Sequence, residues 1–112
     1  MAAERVIDAV ELERLVWQEL RQCFDPEIPV NIVDLGLVYA MHAEPLPEGG
    51  HRVEVSMTVT SPGCGMSEIL RNEADARIRA LPGVRQTDVA ITFDPPWTPE
   101  LMTAEARMLL NL

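Results

Sequence analysis

The side chain best suited to chemistry in this sequence is Cys64. It stands in the run Ser61-Pro62-Gly63-Cys64-Gly65-Met66, between an alternating segment, Val53 to Thr60, and a segment of helical spacing, Ser67 to Leu81. A strand that ends in a Pro-Gly turn and hands over to a helix brings the thiol to a helix N-terminus. Unpaired backbone N–H groups gather there, and their partial positive charge favours thiolate over thiol. A thiolate in that setting is a nucleophile, a redox group or a soft metal ligand. The competing reading is a small cysteine that packs and does nothing else.

Other candidates surround it in the chain. Asp25, Glu27 and Asp34 sit in Asp25-Pro26-Glu27-Ile28-Pro29-Val30-Asn31-Ile32-Val33-Asp34-Leu35-Gly36. Two prolines, Asn31 and Gly36 oppose a helix there, yet the aliphatic content is too high for a solvent loop. This predicts a packed, ordered loop, a common carrier of function. Its acids are open to three roles: ligands, general bases, or local caps for backbone N–H groups. Thr58 and Thr60 lead into the Cys64 turn and fall on the polar side of an alternating strand, where they read first as β-formers on a solvated face. His42 and His51 flank a turn region without a third ligand beside them, so solvated histidines are expected rather than a metal site. Cys23 closes a helical apolar stripe and reads as a core thiol. Methionines near the C-terminus read as core filler or a partner face rather than a soft-metal box.

These groups need elements to hold them. Asp8 with Glu11 forms a capping box, and Ile7 with Leu12 a hydrophobic staple, so a first helix starts at Asp8. Leu12, Leu15, Val16, Leu20 and Cys23 make its buried stripe. Leu37 to Ala43 and Arg52 to Thr60 read as a β-hairpin joined by Glu44-Pro45-Leu46-Pro47-Glu48-Gly49-Gly50, with Val53, Val55, Met57 and Val59 facing inward. The second helix buries Met66, Leu70, Ala74, Ile78 and Leu81, with Ile69 widening the stripe, and stops at Pro82-Gly83. Val84 to Phe93 contains a third strand. Thr98 as N-cap, Pro99 and Glu100 open a last helix whose apolar residues are Leu101, Met102, Met108, Leu109 and Leu112, with Trp97 stapled to Met102. The order α-β-β-α-β-α predicts one small α+β domain over residues 1–112, with helices on one face of a three-stranded mixed sheet. If strands two and three run parallel, their crossover is right-handed and sets the Cys64 turn at the C-terminal edge of strand two.

Composition narrows the functions. The 112 residues carry 18 acids against 9 bases, a net charge of −9. Phosphate binding depends on clustered Lys and Arg, so nucleic acid and anionic membranes are poor partners, and basic proteins or metal ions better ones. The first ten residues have no apolar core of a signal peptide and no run reaches a membrane span, which predicts a cytoplasmic protein with free thiols.

The long motif Asp25 to Tyr39, the run Thr58-Val59-Thr60-Ser61-Pro62-Gly63-Cys64, and Asp94-Pro95-Pro96-Trp97 together resemble the SufT-like metal–sulfur cluster assembly factors, a family that includes PaaD-like proteins and eukaryotic cytosolic iron–sulfur targeting components. The resemblance spans nearly the whole chain. It implies an iron–sulfur cluster assembly-like α/β domain, a non-enzymatic role in iron–sulfur protein maturation, and a site at Asp25, Glu27, Thr58, Thr60 and Cys64. Many relatives have proline after the cysteine where this chain has Gly65. PaaD-type relatives add a cysteine-rich zinc segment that is not found here, which favours the SufT-like branch.

Three mechanisms follow. In the first, Cys64 ligates iron or a transient iron–sulfur cluster and passes it to client apoproteins. Such clusters usually take four thiolates, so a homodimer would supply two and leave two positions for a client or a small thiol. In the second, Cys64 is an enzyme's nucleophile or redox centre. The distant histidines and the absence of a C-x-x-C partner speak against that. In the third, the domain is an adaptor that recruits assembly machinery through an exposed Trp97 and its methionine surface.

Overall fold

A computed structural model describes residues 8–25, 28–60 and 66–111, the side chain of Met66 excepted. Helix α1 spans Ala9–Leu20, strand β1 Val38–Pro45, β2 His51–Met57, helix α2 Met66–Arg79, β3 Val84–Ile91, and helix α3 Ala104–Leu109. A 3-10 turn, Pro99–Leu101, precedes α3. The strands form a mixed sheet in the order β1-β2-β3, with β2 antiparallel to β1 and parallel to β3. The expected α+β architecture is therefore observed.

Local chemistry accounts for most of the boundaries. Asp8 caps α1, its Oδ1 accepting from the Glu11 N–H at 2.8 Å, and Leu12, Val16 and Leu20 form the helix's buried stripe. The staple partner Ile7 lies outside the described residues. β2 is the central strand and alternates almost perfectly, with Val53, Val55 and Met57 buried and Glu54 exposed. α1 packs on β1 and α2, and α2 packs on β3, so the two helices cover the sheet face to which those residues point. The free edge of β1 is blunted where Glu13 Oε2 accepts from the Ala43 N–H at 3.0 Å.

Several expectations need correction. The second strand ends at Met57, not Thr60. Ile69 is 57% exposed: among the described side chains the stripe of α2 is the narrower Leu70–Ala74–Ile78 row, with Leu81 half-buried beyond the helix and the Met66 side chain outside the described residues. His51 is buried at 8% exposure because the α2–β3 turn closes over it and its backbone N–H donates to Gly83 O, and its Nδ1 has no hydrogen-bond partner among the described residues; His42 is exposed as expected. Thr98 precedes only the 3-10 turn and makes no side-chain cap bond. Met102 then adopts extended backbone and buries its side chain, and the last helix restarts at Thr103, whose Oγ1 accepts from the Ala106 N–H. In the C-terminal part Met102 and Ala106 reach the core, whereas Leu101, Met108 and Leu109 are exposed.

Candidate functional site

The loop after α1 is built from the inside. Ile32, Leu35 and Val30 are buried among the residues of the helices and sheet. Ile32 N–H donates to Cys23 O, and Phe24 bridges to Asn31, so the loop closes back on the end of α1. Asn31 Oδ1 accepts from the N–H groups of Val33 and Asp34, while its Nδ2 donates to Asp34 Oδ2. Asn31 is thus the turn-former, and the Asp34 carboxylate steadies it by accepting from its side-chain amide.

Asp25 stands at the start of this loop and is 7% exposed. Its Oδ2 accepts from Thr60 Oγ1 at 3.5 Å, across 35 positions of sequence. Thr60 is held where it is because the chain beyond β2 stays tethered: Thr58 N–H donates to Leu37 O, and Thr92 N–H donates to Met57 O. Val59 between the threonines is buried. Two of the five expected site residues, from motifs far apart in the chain, therefore meet at the end of the central strand. Glu27 and Cys64, the predicted metal ligand, lie outside the described residues.

Thr58 departs from expectation. It is 1% exposed, not on a solvated face, because β2 has already ended and the alternation that assigned its side no longer applies. Its hydroxyl makes no hydrogen bond among the described residues. Burial pushes the nearby Tyr39 phenol up, and the Thr58 hydroxyl tempers that shift without reaching proper hydrogen-bond geometry.

A second layer braces the loop from outside. Trp97 Nε1 donates to Leu35 O at 2.7 Å, Thr103 N–H to Asp34 O at 2.9 Å, and Tyr39 Oη to Pro95 O at 2.8 Å. Gly36, at φ +82°, lets Leu101 approach: a Cβ there would overlap the Leu101 carbonyl oxygen. Trp97 is accordingly half-buried against the core rather than an exposed surface residue. Sequence reasoning missed Tyr39 and Gly36 as braces. Their contacts lie 56 and 65 positions away, and no local pattern reports contacts at that range.

Cys23 is fully buried, and burial pushes its thiol up to about 11, with Glu73 adding to the effect. It is a core thiol, as its place on the helical stripe predicts. Among the described residues no three His, Cys, Asp or Glu side chains converge as a metal site. No described helix is long and apolar enough to cross a membrane.

Residues 13–91 match the family model described as iron–sulfur cluster assembly protein. The chain is 37% identical over 101 residues to the iron–sulfur protein maturation auxiliary factor YitW of Bacillus subtilis, covering 90% of this chain and 95% of that one. It is 35% identical over 88 residues to the maturation auxiliary factor SufT of Staphylococcus aureus, covering 79% and 96%. Its fold is similar to the crystal structure of a domain of unknown function from Bacillus anthracis, at a TM-score of 0.81 and 30% identity, covering 93% and 95%.

Proposed function

The chain belongs to the iron–sulfur cluster assembly protein family, and from that premise we propose that it is an auxiliary factor in the maturation of iron–sulfur proteins, with iron or a cluster as transient cargo. The observation that carries the reading is the Asp25–Thr60 contact. It joins the acidic loop to the strand end that leads, four residues later, to Cys64. Covalent length alone keeps the two Cα atoms of Thr60 and Cys64 within about 14 Å. Carboxylate, hydroxyl and thiol are in this reading one site.

The roles divide by chemistry. Cys64 thiolate is the soft donor for iron or cluster. Asp25 and Glu27 are hard anions that disfavour a neighbouring thiolate until a cation arrives, so cargo and thiolate form together. Thr60 fixes the Asp25 carboxylate, and Thr58 holds a spare hydroxyl beside the strand end. A homodimer would contribute two Cys64 sulfurs and leave positions open for a client ligand. The domain, taken as one unit over residues 1–112, acts in the cytoplasm on assembly machinery and client apoproteins and catalyses no reaction of its own.

A second reading, an adaptor that ligates nothing, is favoured by the exposed Leu101, Met108 and Leu109 of the C-terminal segment. One experiment separates the two. Wild type and Cys64→Ser are purified anaerobically, and absorption spectra, iron and sulfide are compared, followed by client enzyme activity in cells carrying each form. The carrier reading expects charge-transfer absorption and iron that vanish in Cys64→Ser, with loss of client activity at unchanged thermal stability. Client activity retained by Cys64→Ser would leave the adaptor.

A further inference from the structure

The helices cover one face of the sheet, and no described residue covers the opposite face. Three cross-strand rungs lie on it: Ala40–Ser56–Ala90, His42–Glu54–Asp88 and Glu44–Arg52–Gln86. The first rung is made only of small side chains, with both alanines exposed. It floors a shallow trough of about 330 Å³, and the His42–Glu54–Asp88 rung forms one side. That is the low end of the range for ligand clefts, roughly 300–1,000 Å³, and the trough is open along its length.

Charge decides what fits. Arg52 is the only cation in the three rungs, and it is already paired with Glu54 at 2.7 Å and Asp88 at 3.2 Å. Glu44, Glu54 and Asp88 outnumber it, so the face is anionic. We propose that this open sheet face is a docking surface for a cationic segment of a protein partner. The aliphatic stem of an arginine or lysine lies over the Ala40–Ser56–Ala90 floor, and its charged head reaches the carboxylates of Glu54 and Asp88. The other occupants fit worse. Nucleic acid and anionic lipid meet like charge. A second copy would set the same acids against themselves. A bare metal ion finds no three converging ligands among the described residues. The proposal stands apart from cluster carriage, because it concerns binding on a face that uses neither Asp25 nor Cys64.

The test is an amide NMR titration of the full chain with a synthetic peptide of alternating arginine and leucine, beside a counterpart with glutamate for arginine. The expected result is a set of shift changes centred on Ala40, Glu54, Ser56, Asp88 and Ala90, with the arginine peptide alone. Affinity should fall by about tenfold between about 0.05 and 0.3 M salt. Ala90→Arg fills the floor and adds a positive charge, and should weaken binding by about tenfold or more. Ala76→Arg adds the same charge on the exposed side of α2 and should change affinity by less than about twofold. Ser56→Lys repeats the block if Ala90→Arg does not fold. Equal losses from the sheet and helix variants would reduce the attraction to net charge and overturn the proposal. So would shift changes confined to the helices, a dimer in sedimentation that Ala90→Arg dissociates, or the same shifts produced by zinc alone.

Discussion

Thr58 places a hydroxyl where a methyl group would cost less. The side chain is 1% exposed and its oxygen makes no hydrogen bond among the described residues, and a buried unsatisfied hydroxyl typically costs about 1–3 kcal/mol. Thr58→Val keeps the shape and removes that cost, so it should raise thermal stability, by about 1 kcal/mol or more. If the hydroxyl serves the Cys64 site, the same variant should lower client maturation; a stabilised variant with full client activity would make Thr58 a packing residue only. Cys23 gives a second residue-scale prediction. Its thiol is held at about 11 in the folded chain, by burial first, against an ordinary value of 9.0. The folded state therefore keeps the proton longer than the unfolded state. This contribution is complete below pH 9 and is lost as pH rises toward 11. At about 1.4 kcal/mol per unit, the effect is on the order of 2–3 kcal/mol. Urea unfolding of wild type and Cys23→Ala across that window should show a steeper decline for wild type, while iodoacetamide at neutral pH should leave Cys23 unmodified until the chain unfolds. Both residues show where sequence reading succeeds and stops. Cys23 was legible because its helical spacing survives in the structure; Thr58 was not, because the period-2 rule assigns faces only while the strand continues, and it ends one residue earlier.

The element that most constrains the site is the segment after β3, which clamps the loop after α1. Trp97 bonds to Leu35 O, Thr103 to Asp34 O, and Leu101 sits against Gly36. Gly36→Ala meets both a left-handed backbone and the Leu101 carbonyl, so it should cost more than the roughly 1 kcal/mol usual for losing a glycine at positive φ. Trp97→Phe keeps an aromatic side chain, though a smaller one, and orphans a carbonyl of the buried Leu35, which alone costs about 1–3 kcal/mol. Because both changes release the same clamp, the double variant should lose less than the sum of the two, as read from chemical unfolding. Additive losses would mean that the segment does not act as one unit. The elements themselves were largely legible. Asp8 and the Leu12–Val16–Leu20 spacing define α1, and the alternation of Val53, Val55 and Met57 defines the central strand. The last helix was misread at its start because Thr98-Pro99-Glu100 and Thr103-Ala104-Glu105 carry similar start signals. What chooses between them is the burial of Met102, a tertiary event. The clamp was invisible for the same reason. The motifs carrying Leu35, Gly36 and Trp97 stood out singly, but contact across more than sixty positions has no local signature.

At the scale of the whole molecule two electrostatic effects oppose each other, and salt distinguishes them. Ion pairs are numerous, most of them local in sequence: Arg14 with Glu11, Arg71 with Glu68, Arg77 with Glu73, Arg79 with Asp75 and Arg52 with Glu54, beside the long-range Arg77 with Glu19 and Arg52 with Asp88. Nearly all are at least partly exposed, and such pairs contribute about 0–1 kcal/mol each, less as salt rises. Asp75 is the better-placed one, held below the usual carboxylate range first by the Thr87 hydroxyl, which salt does not screen, and then by Arg79. Against these stands the repulsion among 18 acids offset by only 9 bases, which compaction intensifies. Sequence-local pairs such as Arg14–Glu11 persist in part in the unfolded chain, so their screening subtracts little from stability. The long-range repulsion is mostly a property of the folded state, so its screening adds. The second effect should win. Raising salt from about 0.02 to about 0.3 M shortens the screening length severalfold and should raise the midpoint of thermal unfolding by a few degrees at neutral pH. Circular dichroism at several salt concentrations measures it. A midpoint that falls with salt would show that the ion pairs outweigh the net charge, and would also weaken the case that an uncompensated anionic surface is available to a basic partner.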